Sequence, residues 1–186
     1  MASFAGGNFI LGGVLLGEQK YIDFGVHLAE SYYATYSTAA GIGPEGFDWV
    51  DAAIASSGTP PDDQADFYEK QGFWATSPNY ILRPETMESL YYAYRATGDA
   101  GFQEKGWEAF QRIRDACRAG SGYSGLKDVT KEDGGGFDDF MESFFLAETL
   151  KYAYLLFAEE SEVQFKVDAP NGWVFNTEAH PVRVRA

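Results

Sequence analysis

Gly17-Glu18-Gln19-Lys20-Tyr21-Ile22-Asp23-Phe24-Gly25 and Gly98-Asp99-Ala100-Gly101-Phe102-Gln103-Glu104-Lys105-Gly106 are built on one plan. Both open with a glycine and an acid, place an aromatic ring four residues after that glycine, and set a second glycine four residues later. Glycine suits the left-handed residue that closes a helix, and an acid suits the N-terminus of the next one. Each stretch is therefore predicted to end one helix and open another. Apolar and aromatic positions recur at three- and four-residue steps on either side, which predicts helices over Phe9–Leu16, Ile22–Tyr36, Glu85–Thr97, Phe102–Ala119 and Asp139–Glu159. A looser echo places Glu-Ser before an apolar run at Glu30-Ser31, Glu88-Ser89 and Glu142-Ser143, spaced 58 and 54 residues apart. Helix pairs repeated at such a period suggest an α/α solenoid or toroid.

The connections are rich in turn formers. Ser56 to Asp63 carries Gly58, Pro60 and Pro61, and Gly120 to Gly136 carries six glycines. Neither reads as a domain linker, because the helical pattern continues beyond both. Phe73–Thr76 and Trp173–Asn176 read as short strands, with Pro181, Val182 and Val184 forming a hairpin arm after the second. The expectation is one mainly α domain over residues 1–186 with a few short β hairpins.

Composition limits the chemistry. The 186 residues are 45% hydrophobic and 17% aromatic, too apolar for a disordered chain. Fourteen Lys and Arg against 28 Asp and Glu give a net charge of −14, which argues against nucleic acid or anionic membrane as partner. The longest apolar run, Phe9 to Leu16, is too short to span a bilayer and has no basic lead or cleavage site of a signal peptide. Cys117 is the single cysteine, so neither an internal disulfide nor a cysteine zinc cluster is available, and it reads as a buried small hydrophobe. His27 and His180 are the two imidazoles, and no nucleophile-elbow motif or glycosylation sequon appears.

Composition does not exclude a Ser–His–Asp site, but the plausible chemistry rests on carboxylates. In Arg83-Pro84-Glu85-Thr86-Met87-Glu88, Pro84 suits a first helical turn and leaves Glu85 and Glu88 on one face beside Arg83. Spacing alone also fits acids that merely complement a helix dipole. Phe144 and Glu148, four apart, offer a ring to stack a sugar on and an acceptor for its hydroxyls; as a helical stripe they equally suit a core. Asn176-Thr177-Glu178-Ala179-His180-Pro181 supplies oxygen donors for a hard cation without the alternating carboxylates of a calcium loop, and is equally an ordinary turn. Glu45, after Gly43-Pro44, is either a loop residue reaching a site or a solvated acid.

The runs from Ile81 to Tyr92, Met141 to Tyr152 and Val174 to Pro181, with Gly41-Ile42-Gly43-Pro44-Glu45 and Phe4-Ala5-Gly6-Gly7-Asn8, closely resemble glycoside hydrolase family 47, the class I α-1,2-mannosidases, above all the fungal ones. The resemblance covers essentially the whole chain, with five motifs in order. It implies part of an (α/α)7 barrel and a calcium-dependent, inverting hydrolysis of terminal α-1,2-linked mannose from high-mannose N-glycans or glycoproteins. By that resemblance Glu85 and Glu88 are the catalytic carboxylates, with Glu85 the general base that activates water. Thr177 is the direct protein ligand of Ca2+, through its carbonyl and hydroxyl. Arg83, Glu88, Glu148 and Glu178 line the calcium and sugar pocket, Phe144 stacks on the sugar, and Glu45 contacts its hydroxyls.

Departures from the family pattern carry expectations of their own. Family domains are much longer, and the chain corresponds to their C-terminal part; the preceding part holds the general acid. Positions that form a disulfide in many relatives are Ser3 and Tyr32 here, and Met1 lies inside a motif that normally continues upstream. Without the acid, leaving-group protonation is lost, roughly 10²–10⁴ in rate. The isolated chain is therefore expected to be inactive, awaiting a partner half, or to act as a mannose-binding module or an inactive truncated product. Secretion or the secretory pathway is the location that the resemblance implies.

Overall fold

A computed structural model describes residues 2–54 and 57–185; Met1, Ser56 and hence the start of the predicted Ser56–Asp63 loop lie outside them. A 3-10 turn at Ala2–Phe4 leads into α1 (Ala5–Leu16) and α2 (Gln19–Ala34). Gly17 closes α1 at φ 68° with its amide turned back to Gly13 and Val14. The two helices then meet backbone to backbone. A Cβ on Gly25 would lie 2.6 Å from the Gly6 carbonyl oxygen, and one on Gly13 would lie 2.8 Å from the Ile22 amide.

The second glycine-acid stretch builds the same device. Gly98 closes α4 (Glu85–Thr97) at φ 70°, and Asp99 Oδ1 accepts the Gly101 N–H at 2.8 Å as α5 (Gly101–Ala116) begins. Gly106 of α5 is pressed against Leu156 and Met87. The first copy lacks the acid cap: Glu18 pairs with Lys20 at 3.3 Å instead. The Glu-Ser echo is not structural. Glu30 is an exposed partner of Lys105 late in α2, Ser89 is buried in the first turns of α4, and Glu142 precedes any helix.

α4 is the centre of the chain, packed on α1, α2, α5 and α6 (Leu150–Phe157). Leu90, Tyr91 and Ala93 are fully enclosed there. Ser89 ties α4 to the chain start, accepting the Gly7 N–H at 3.1 Å and donating to the Ser3 carbonyl. Tyr91 donates to buried Gln164 at 2.8 Å and accepts the Phe165 N–H at 3.0 Å, strapping the irregular segment after α6 onto the helices. A second core of Ile42, Tyr80, Leu82, Leu126, Val129 and Phe145 lies under the loops. It encloses Cys117, whose thiol burial pushes up to about 12, as suits a packing residue.

Three antiparallel pairs complete the fold: β1 (Gly46–Asp48) with β2 (Trp74–Ser77), β3 (Arg118–Ala119) with β4 (Gly122–Tyr123), and β5 (Trp173–Phe175) with β6 (Pro181–Arg183). The hairpin arm expected at Pro181 is β6, with Val182 opposite Val174. Short α3 (Ala65–Gln71) and strand β1 had no clear signal in the sequence.

Two predicted helices need correction. The one expected to reach Ala119 ends at Ala116, because Gly120, at φ 59°, turns the chain into the β3–β4 pair. The one expected from Asp139 starts only at Ser143. Asp139 has φ 65°, and Asp138 accepts the Ser124 hydroxyl and the Phe140 N–H at 2.9 Å each, which holds the chain in a turn. Phe145–Thr149 is then a π-helical turn before α6. Among the described residues no helix is long and apolar enough to cross a membrane.

Candidate active site

The site is assembled where the segment before α4 meets the π turn. Leu82 is buried at φ 64°, a conformation costing a non-glycine residue roughly 1–2 kcal/mol. Two side-chain donors hold the backbone around it: Thr149 Oγ1 to the Leu82 carbonyl at 2.7 Å and the Tyr80 hydroxyl to the Arg83 carbonyl at 3.2 Å. The next side chain, Arg83, forks onto Glu45. Nε lies 3.1 Å from both carboxylate oxygens, and Nη2 lies 2.7 Å from Oε1. Glu45 is itself set by its N–H on the Asn79 carbonyl at 2.8 Å. Hydrogen bonding to Glu45 raises the guanidinium pKa against the opposing effect of burial. The same guanidinium stands 3.8 Å from Glu85 and 5.5 Å from the centre of the Phe144 ring.

Pro84 opens α4, and the Glu88 N–H reaches its carbonyl at 3.0 Å, so Glu85 and Glu88 share the first turn as predicted. Glu85 is nearly buried. Glu88 is pushed up to about 7, first by burial and then by the charges of Glu85 and Glu148; the Tyr152 hydroxyl, donating at 3.2 Å, opposes the rise. Glu148 is also pushed up to about 7, by burial and by Glu85 and Glu178, with Arg83 and Lys151 opposing. Glu85 and Glu148 are buried, Glu88 is half-buried and Glu178 is exposed, and the charges of Glu85, Glu148 and Glu178 each act on a neighbouring carboxylate.

Thr177 and Glu178 are exposed in the turn between β5 and β6. Asn176 Oδ1 builds that turn, accepting the N–H groups of Glu178 at 3.1 Å and His180 at 2.9 Å. Ala179, buried at φ 55°, points its carbonyl at Lys151 Nζ, 3.0 Å away, which ties the turn to α6. The charge of Glu178 acts on Glu148, and Thr177 is placed by the same turn.

The donors fit a hard divalent cation. They are oxygens only, and Glu85, Glu88, Glu148 and Glu178 bring more negative charge than Arg83, shared with Glu45, and Lys151 bring positive. Among the described residues no three His, Cys, Asp or Glu side chains converge closely enough to chelate a metal directly. A cation that keeps much of its water and takes backbone and hydroxyl oxygens suits that arrangement; a soft metal does not.

Four positioning residues escaped the reading of the sequence: Thr149, Lys151, Tyr152 and Tyr80. Three of them follow Glu148 immediately, and their spacing becomes informative only once the π turn is known. The charge of Glu142 also acts on Arg83.

The family model of Glycosyl hydrolase family 47 matches residues 1–184. A probable mannosyl-oligosaccharide alpha-1,2-mannosidase 1B of Aspergillus niger is 49% identical over 185 residues, taking in 99% of this chain and 35% of the fungal protein. A mannosyl-oligosaccharide alpha-1,2-mannosidase of Penicillium citrinum is 43% identical over 185 residues, with the same coverage of 99% and 35%. The solved structure of an alpha-1,2-mannosidase from Trichoderma reesei superposes with a TM-score of 0.97 at 63% identity, covering 100% of this chain and 38% of that one. The helical hairpins are accordingly part of an (α/α)7 toroid, present here as an open portion and not a closed barrel. The chain spans about a third of the length of the relatives it matches. By motif order, by fold and by match along nearly its whole length, this chain belongs to glycosyl hydrolase family 47.

Proposed function

We propose that this chain carries the general-base, cation and sugar-binding side of a calcium-dependent inverting hydrolase that removes terminal α-1,2-linked mannose from high-mannose N-glycans. The observation that carries this reading is the grouping of Glu85 and Glu88 on one helical turn, beside the Arg83–Glu45 fork and within electrostatic reach of Glu148. Glu85 takes the proton of a water that attacks the anomeric carbon from the face opposite the leaving oxygen. Arg83 Nη1 stands 3.8 Å from Glu85 Oε1, beside the carboxylate that would take that proton. Inversion needs room for that water, with base and acid about 6.5–9.5 Å apart.

Phe144, with the Arg83 guanidinium 5.5 Å from its ring centre, offers an apolar face on which a pyranose stacks, and Glu45, Glu148 and Glu178 accept its hydroxyls. Thr177 would hold Ca2+ through its hydroxyl and carbonyl, while Glu88, Glu148 and Glu178 balance the charge through water. Bound there, the cation orients sugar hydroxyls and water and offsets the carboxylate repulsion. We place the general acid outside residues 1–186, so the isolated chain binds the sugar and turns it over slowly or not at all. Secretion or the secretory pathway is the location proposed with this activity.

The test is mannose release from α-1,2-mannobiose by the purified chain, alone and with a separately expressed N-terminal part of a longer relative, in calcium and in EDTA. Release that needs the second part, and that Glu85→Gln and EDTA each abolish, supports the proposal. Release by the chain alone overturns the placement of the acid. Calcium-dependent binding that never becomes turnover makes the chain a mannose-binding module. The absence of binding and turnover, with or without the second part, rejects the function.

A further inference from the structure

The π turn Phe145–Thr149 lies between two groups of site residues, and every side chain from Glu148 to Tyr152 except Leu150 reaches a different part of the site. Thr149 donates to the Leu82 carbonyl, Lys151 to the Ala179 carbonyl and Tyr152 to Glu88, while Glu148 enters the carboxylate cluster. Two of those partners, Leu82 and Ala179, belong to the three non-glycine residues with left-handed backbone among the described residues. A π turn inserts one residue into a helix and rotates all that follows by about one residue's angle. Without it, residues 149, 151 and 152 would face other neighbours than those they bond.

We propose that the π turn is the alignment device of the site, and that Thr149 is a positioning residue whose hydroxyl fixes left-handed Leu82 and thereby the aim of Arg83. A bond to the Leu82 carbonyl fixes the peptide plane between Leu82 and Arg83, and Arg83 leaves that plane to fork onto Glu45 and cover Phe144. Thr149 is buried, and its bond is the one the π turn makes to this segment through a side-chain hydroxyl. The Thr149 hydroxyl bonds the Leu82 carbonyl and not the fork itself, so its influence runs through the backbone. The role concerns the sugar site and rests on the function proposed above, but the geometry it fixes is present without ligand.

The experiment compares the parent chain with Thr149→Val, which keeps the shape and loses the donor, and Thr149→Ser, which keeps the donor. Two readouts are followed: exchange of the Arg83 Nε–H with water by 15N NMR, and affinity for α-1,2-mannobiose by calorimetry with calcium present. Thr149→Val is expected to speed Arg83 Nε–H exchange at least ten-fold and to weaken the sugar by a similar factor, with Thr149→Ser close to the parent in both. If Thr149→Val does not fold, Thr149→Ala replaces it with the same expectation. Deletion of exposed Leu146, which shortens the π turn by one residue, is expected to reproduce the loss of Arg83 protection. Unchanged Arg83 exchange in the folded Val or Ala variant overturns the proposal. A parent chain that protects Arg83 but binds no mannobiose counts against the proposed function and leaves the exchange comparison to decide the role of Thr149.

Discussion

The Tyr152 hydroxyl donates to Glu88 Oε1 across 3.2 Å, joining α6 to the first turn of α4. The bond and the surroundings pull in opposite directions: a donated hydrogen bond favours the carboxylate, and loss of water favours the acid. Burial prevails, which leaves Glu88 at about 7. Tyr152→Phe removes the favouring bond, so Glu88 is expected to titrate higher still. Side-chain carboxyl 13C shifts followed against pH would show it, and a titration that stays put or moves down would show that the bond carries no weight.

Stability against pH follows from the same pair. Glu88 and Glu148 sit at about 7 in the folded chain against an ordinary 4.5. A carboxyl raised on folding contributes stability when it is protonated; that contribution is complete below about 4.5 and is lost as pH rises through about 7. In chelator, the melting temperature is expected to fall between pH 5 and pH 7.5. Replacing both residues with Gln should flatten the profile. A double variant that keeps the parent's slope would assign the pH dependence to other groups.

Calcium should reverse that slope. A cation bound by the folded chain alone stabilises it by mass action, and at the proposed site it would also offset repulsion among the glutamates. Calcium added at pH 7.5 is expected to raise the melting temperature more than magnesium does, and Thr177→Val should remove most of the difference. Equal curves in calcium and in EDTA would count against the assigned cation.

Arg83→Lys keeps a positive charge and loses the planar fork on Glu45. A loss of about ten-fold in mannobiose affinity, about 1.4 kcal/mol, is expected, with Glu45→Gln producing a smaller loss. Lysine at full affinity would mean that charge alone is what the site needs from position 83.

Ser89 bears on folding and not on the sugar. Ser89→Ala leaves the buried Gly7 N–H without its acceptor and releases the Ser3 carbonyl, a cost of about 1–3 kcal/mol. Urea denaturation measures it, and a change below half a kcal/mol would show that water takes over both bonds.

The helix-turn-helix plan was legible because it depends on local chemistry. Gly17 and Gly98 close their helices where the Gly-acid pattern placed them, and α4 begins and ends as its periodicity predicts. The grouping of Arg83, Glu85 and Glu88 was legible for the same reason, being three side chains of one turn and its leader. What escaped depends on partners distant in sequence. The late start of the last helix is set by Ser124 bonding Asp138, fourteen residues away. The left-handed Leu82 is held by Thr149, 67 residues away. Neither leaves a periodic trace in the chain. The Glu-Ser echo misled because such pairs are common on helices, and only the glycine spacing reflects a shared structural need.

The backbone contact between α1 and α2 has an evolutionary consequence. Any side chain at Gly13 or Gly25 must wedge two main chains apart, so selection for folding alone would hold these positions as fixed as a catalytic carboxylate. In a family alignment, invariance at Gly25 and invariance at Glu85 would look alike. The first would record how closely two helices lie, the second what the chain does to a sugar. Ranking residues of this chain by conservation would therefore mix its hinge with its chemistry, and geometry is what separates them.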